Sequence, residues 1–152
     1  MPRLLLLAAL SALILAASEP EEKNIETAVL RTSAQMTEAG QALDADRLFS
    51  FMLESSKGSV IQNGVIALTR EQALDQVRRG FRGLSKIEYR WKQQLVSVLS
   101  PTIAILIAEG ESTATTKQGD TIVTPFAQTN VFVLTDGRWK VLHAHHSSSA
   151  RR

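Results

Sequence analysis

All three histidines of the chain lie within four positions near its end, at His143, His145 and His146. The dipeptide Asp136-Gly137 just before them is typical of a tight turn between two strands, because glycine adopts positive φ without a steric penalty. Side chains alternate along a strand, so His143 and His145 should share one face while His146 points to the other. The two faces can therefore carry different chemistry.

Two histidines at i and i+2 on one strand face could begin a metal site, because both imidazoles can converge on one ion. A third ligand would have to come from a neighbouring strand, where Glu109 and Glu111 are the nearby carboxylates by chain order. Packed or interfacial histidines, hydrogen-bonded to their neighbours, are the simpler interpretation of His143 and His145. We expect no metal and no other cofactor.

His146 is better placed to form a binding pocket with residues of two preceding strands. Gln128 and Asn130 share one face of the strand before it, and Glu109 shares a face with apolar residues of the strand before that. If these faces look inward, they enclose a cavity that is apolar at its base, with Glu109, Gln128, Asn130 and His146 towards its mouth. Apolar walls with a few convergent polar groups are typical of small-molecule sites. We therefore expect these four residues to bind a ligand.

A glutamate buried beside a histidine is also the arrangement that general acid/base catalysis needs. Glu109 and His146 are therefore the candidate proton carriers if the protein is an enzyme. Alternatively, Glu109 and Glu111 emerge into solvent where their strand leaves the core. A second carboxylate pair, Asp44 and Asp46, lies at a predicted helix start, where capping and the helix dipole account for both residues.

The elements that must position these residues are three helices followed by a meander of strands. Apolar periodicity and capping signals predict helices over 22–43, 45–53 and 70–83 and strands over 59–61, 65–68, 87–99, 103–111, 121–135 and 138–147. Helices followed by strands are typical of an α+β fold with the helices on one face of an antiparallel sheet. A long twisted sheet that curls around a helix leaves a cone whose open end is a natural pocket. Trp91 and Trp139 are expected to anchor the core or an interface.

The first residues predict export. Arg3 precedes an apolar run from Leu4 to Ala17, small residues follow at 16–18, and the chain then becomes acidic at 19–22. This is the pattern of a secretory signal peptide, and the run is shorter than the ~20 residues of a membrane-spanning helix. We expect cleavage before about Glu19 and a periplasmic or secreted protein without a membrane contact. An uncleaved membrane anchor is the alternative.

Composition bounds the remaining possibilities. The chain of 152 residues carries a formal charge of +2 and no cysteine. Without a basic run interleaved with aromatic residues, nucleic acid is not expected as a partner. The length after cleavage suits one domain, which we place at 19–148, followed by a disordered tail at 149–152.

The final hairpin resembles a known family. The run from Asp136 to Ser147, with Trp139 and the His-x-His pair, is similar to the closing strand of the SnoaL-like branch of the nuclear transport factor 2-like superfamily. It is closest to the association domain of calcium/calmodulin-dependent protein kinase II. The motif occupies residues 128–148, and the element order matches over the whole mature region. The resemblance implies a cystatin-like cone, an internal pocket, and dimers or larger rings packed through the sheet.

The functional residues of the family match only in part. In the association domain, the positions that match Asn130 and His146 are arginines of a carboxylate-binding pocket. Here one is a neutral amide and the other is cationic only when protonated. The steroid-isomerase branch uses a tyrosine with two aspartates, whereas this chain has one tyrosine, Tyr89, and no matching aspartate pair.

The sequence therefore predicts an exported cone domain, dimeric through the outer face of its sheet, that binds a small organic molecule. One alternative is an acid/base enzyme of the isomerase, cyclase or dehydratase kind acting on an apolar carbonyl compound. Another is an oligomerisation module whose pocket is idle. The family includes all of these activities as well as members without a known reaction.

Overall fold

The structure is a computed structural model that describes residues 18–149. Nearly all of the predicted signal peptide and the last three residues of the predicted tail therefore lie outside the described residues. Within the described part of the chain, no helix is both long enough and apolar enough to cross a membrane.

Three helices form where the capping signals indicate. They are α1 at Glu19–Gln41, α2 at Ala45–Phe49 and α3 at Arg70–Arg82. The side chain of Asp44 accepts from the backbone N–H of Arg47 at 2.9 Å, which satisfies one of the free amides at the start of α2. Thr69 and Gln72 form a reciprocal capping box at the start of α3.

Helix α2 is shorter than the predicted range of 45–53. The chain leaves the helix after Phe49 and runs alongside the last strand instead. There Leu53 donates its backbone N–H to the carbonyl of Val141 at 2.9 Å, and Val141 donates to Phe51 at 2.8 Å. These hydrogen bonds replace the ones that continuing the helix would have made.

Six strands form one sheet. They are β1 at Val60–Gln62, β2 at Val65–Ala67, β3 at Leu84–Ser100, β4 at Ile103–Thr116, β5 at Thr121–Thr135 and β6 at Arg138–Ser148. Their order across the sheet is β2-β1-β6-β5-β4-β3. The long strands pair antiparallel as predicted, but β1 pairs parallel with β6, so the sheet is mixed rather than wholly antiparallel. The predicted α+β class and cone are confirmed.

Two irregularities in register decide which side chains face inward. On β3 the register shifts between Trp91 and Gln93, opposite Gly110 of β4. A Cβ at position 110 would lie 2.6 Å from the carbonyl oxygen of Arg90, so the close approach of the two strands at this bulge requires glycine. On β6 the pairing shifts so that Leu142 is the extra residue between Val141 and His143.

The hydrophobic core lies between α1 and the concave face of the sheet. Ile25 and Val29 of α1 pack in one cluster with Leu106, Phe132 and Val141 of the sheet. Four of these five side chains are fully buried, and Ile25 is nearly so. Trp139 lies in the same cluster, as the sequence predicted for a core tryptophan. The core occupies one end of the concave face and leaves the other end open.

Candidate functional site

The open end of the concave face holds a cavity of about 700 Å³. Its walls come from α1, α3, the β1–β2 hairpin and the inward side chains of β3 to β6. The size falls within the range of sites that hold drug-sized molecules. Small inward residues on the sheet leave room for it, namely Ala108, Gly110 and Ala144, which are all buried.

A polar cluster lies on the inward face of β5 and β6. Gln128 and His146 are directly opposite each other in the register, and Asn130 is opposite Ala144, one inward position further along. Gln128 and Asn130 are only 9% and 3% exposed. All three polar residues line the cavity. The structure therefore brings together three of the four predicted ligand-binding residues.

These three side chains make no hydrogen bond with any of the residues that the structure describes, and Oδ1 of Asn130 is fully buried without a donor. The register partners of Asn130 on the two neighbouring strands, Leu106 and Ala144, have no polar side-chain atoms and so offer it no hydrogen bond. A buried amide without a partner costs free energy that a bound molecule could recover.

The imidazole of His146 is uncharged at neutral pH. It is half-buried and lines the cavity. Burial, together with the smaller effect of the charge of neighbouring His145, lowers the pKa of His146 from 6.5 to about 4. Neutral imidazole offers one hydrogen-bond donor and one acceptor.

Three aromatic rings form another part of the wall. Trp91 and Phe126 meet edge to face with ring centroids 5.2 Å apart, and Tyr89 is nearly parallel to Trp91 at 6.4 Å. Trp91 and Phe126 are both register partners of Gly110, so the missing side chain there lets the two rings meet across β4. Burial raises the pKa of Tyr89 above its usual value, so its hydroxyl stays protonated.

The prediction that Glu109 lines the cavity is wrong. Ala108 is the register partner of Gln128, so the inward residues of β4 are the even-numbered ones, and Glu109 lies exposed on the outer face. Ile105, Ile107 and Glu111 share that outer face. Ile105 and Ile107 were expected inside, but the inward positions of β4 are taken by Ala104, Leu106 and Ala108, which are all buried.

His143 and His145 lie on the outer side of β6. Nδ1 of His143 is 3.3 Å from the carbonyl oxygen of Gly58, and His145 is exposed. Among residues 18–149 the structure shows no group of three histidine, aspartate or glutamate side chains that could hold a metal ion. Asp46 forms an ion pair with Arg78, and with the cap made by Asp44 this accounts for that carboxylate pair structurally.

Sequence reasoning missed Tyr89, Trp91, Phe126 and Arg79 as lining residues. For Tyr89 and Trp91 the signal was present in the sequence, because both alternate with Ile87 on one face of β3. The register between β3 and β4 was needed to show that this face is the inward one. Among the described lining residues the ionisable groups are Arg79, Tyr89 and His146, with no carboxylate.

Comparison with known proteins identifies the family to which this chain is similar. A family model of the SnoaL-like domain matches residues 29–151. Among curated proteins, none matches the sequence significantly.

Solved structures with the same fold include a nuclear transport factor 2-like superfamily protein from Salmonella enterica serovar Typhimurium. It shares 15% identity with a TM-score of 0.77, and the match covers 86% of this chain and 94% of that one. A provisionally named scytalone dehydratase from Novosphingobium aromaticivorans shares 10% identity with a TM-score of 0.79, covering 88% and 89% of the two chains. A hexachlorocyclohexane dehydrochlorinase from Novosphingobium barchaimii shares 14% identity with a TM-score of 0.72, covering 88% and 92%. At such low identity these likenesses concern the fold. The family match covers most of the sequence, and the chain belongs to the SnoaL-like domain family.

Proposed function

We propose that the protein binds a small organic molecule in the cone cavity, with Gln128, Asn130 and His146 as its polar anchors. The observation that carries the proposal is that these three inward side chains leave their hydrogen-bonding groups unused inside a cavity of about 700 Å³. Buried polar groups in native proteins are normally paired, so unpaired polar side chains that also line a cavity support a bound partner there. In a module that served only for oligomerisation, side chains would be expected to fill this space.

An enzyme that performs an elimination is the second candidate. Two proteins of the same fold are named for such activities, a dehydratase and a dehydrochlorinase. His146 supports this candidate because a neutral imidazole in the cavity can accept a proton. A pKa of about 4 makes it a weak base at neutral pH, however, and no described carboxylate lines the cavity to assist it. Binding without reaction is therefore the preferred function.

The test is a screen of small organic molecules by thermal shift, followed by calorimetry on the molecules that stabilise the protein. Asn130→Ala and His146→Ala should weaken binding by about 1–3 kcal/mol each, because each removes a polar anchor from a desolvated site. His145→Ala is the matched control, since its side chain lies on the other side of the same strand. Binding that is lost on His145→Ala and kept on His146→Ala would contradict the proposal.

The proposal includes a homodimer formed through the outer face of the sheet. That face carries neighbouring aliphatic side chains on β3 and β4, where Leu95 and Ile107 are register partners and are 52% and 50% exposed. Leu99 and Ile103 extend the patch at 61% and 39% exposure. A contiguous apolar patch of this kind is typical of a protein–protein interface.

Export completes the proposal. The support is the sequence pattern of residues 1–18 together with the start of α1 at Glu19, where the expected mature chain would begin. Glu19, Glu21 and Glu22 place negative charge in the first turn, which stabilises that helix end. Cleavage there would keep every residue of α1 and remove only its N-cap Ser18, whose carbonyl accepts from the backbone N–H of Glu22.

A further inference from the structure

The cavity pairs an uncharged polar cluster with an aromatic wall, and this combination selects a class of ligand. We propose that the ligand is an uncharged aromatic compound with a hydroxyl group. This proposal rests on the binding function proposed above. The hydroxyl of the ligand would lie among Gln128, Asn130 and His146, and its ring system would lie against Tyr89, Trp91 and Phe126.

Charge is the first selection. Gln128 and Asn130 are neutral amides, and His146 is neutral near pH 7 because burial lowers its pKa to about 4. An ionised group buried beside them would lose its hydration without gaining an opposite charge, which is strongly unfavourable. The cation among the described lining residues is Arg79, whose side chain is exposed on α3. The polar cluster therefore discriminates against a carboxylate.

Hydrogen-bonding capacity is the second selection. Each of the two amides has both donor and acceptor atoms, and neutral imidazole has one of each. A hydroxyl group donates one hydrogen bond and accepts others, so it matches this mixed set. A plain hydrocarbon would fill the space but would leave the buried amide of Asn130 unpaired, at the cost that such groups carry.

Shape is the third selection. Tyr89 and Trp91 are inclined by only 17°, and the edge of Phe126 meets Trp91 at 78°. Aromatic side chains favour flat partners in stacked or edge-to-face contact. Phe126 lies two positions from Gln128 on the same face of β5, about 7 Å along the strand. A molecule of two linked or fused rings spans that distance.

The test compares three molecules of one shape, para-phenylphenol, biphenyl and biphenyl para-carboxylate, by tryptophan fluorescence and calorimetry at neutral pH. The phenol should bind at least about tenfold more tightly than either of the others. Asn130→Leu should bring the affinity for the phenol down to that for biphenyl, because leucine keeps the volume and removes the hydrogen bonds. His145→Leu should leave all three affinities unchanged.

Tighter binding of the carboxylate, or equal binding of phenol and biphenyl, would overturn this inference while leaving the binding function in place. If none of the three binds but other molecules from the screen do, the inference also fails and the binding function stands. If neither these three nor any screened molecule binds, both fail together. A circular dichroism spectrum of Asn130→Leu that matches the wild type would show that loss of affinity is not loss of fold.

Discussion

Gln128 and His146 face each other across β5 and β6, and both side chains line the cavity. The bulge at Leu142 makes this possible. Trp139 and Val141 are buried in the core, so strict alternation beyond them would have turned His143 and His145 inward. The extra residue reverses the alternation and directs Ala144 and His146 inward instead. One β-bulge therefore decides which histidine belongs to the site.

The depressed pKa of His146 predicts a pH dependence of stability. The native histidine titrates at about 4 and the unfolded one at 6.5, so the unfolded chain binds more protons between these values. The contribution of neutral His146 to the free energy of unfolding is complete above pH 6.5. It is lost as the pH falls through this window, by up to roughly 3 kcal/mol. Urea unfolding of the wild type and of His146→Gln at several pH values checks this.

The variant His146→Gln should lose less stability between pH 6.5 and 4 than the wild type does. His145→Gln is the comparison variant: it removes only the neighbouring charge, which is the smaller cause of the lowered pKa of His146, so it should reduce the pH dependence less than His146→Gln does. Identical slopes for the wild type and His146→Gln would show that His146 is not protected from protonation in the folded protein.

The bulge opposite Gly110 predicts a site where even one methyl group is not tolerated. Gly110→Ala should destabilise the fold by about 1–3 kcal/mol, because the added Cβ would lie 2.6 Å from the carbonyl oxygen of Arg90. Gly80→Ala is the matched control. Its Cβ meets nothing within 4 Å, and alanine in a helix should raise stability by about 0.5–1 kcal/mol. Thermal melts of both variants settle the point, and equal melting temperatures would refute it.

The outer face of the sheet predicts a dimer that one charge should break. Ile107→Lys should convert the proposed dimer into a folded monomer, because it places a charge within the apolar patch. Ile122→Lys is a close control, since Ile122 is exposed to 52%, against 50% for Ile107, and lies outside that patch. Analytical ultracentrifugation at micromolar concentration reports both. A monomeric wild type would contradict the interface.

Export predicts that the mature protein begins at about Glu19. N-terminal sequencing of the protein recovered from the exported fraction would check this. Recovery of the intact chain from the membrane fraction, with the 4–17 run retained, would instead indicate an anchor and overturn the predicted compartment.

The sequence predicted local structure better than the direction of side chains. The bounds of β5 at Thr121–Thr135 and the caps at Asp44 and Thr69 follow from local signals, and the structure has them. The inward face of β4 could not be predicted in this way, because that strand is apolar on both faces near Ile105 and Leu106. Its direction is set by the register with β5, and the aromatic wall follows from the same pairing. Register is a long-range property that side-chain pattern specifies only where one face is polar.

The most direct test of the central claim is native mass spectrometry of the protein purified gently from cells that produce it. The wild type and His145→Ala should each carry the same small molecule in the cavity, and Asn130→Ala should have lost it. Retention of that molecule by Asn130→Ala, or its loss from His145→Ala alone, would contradict a binding site built on the inward face of β5 and β6.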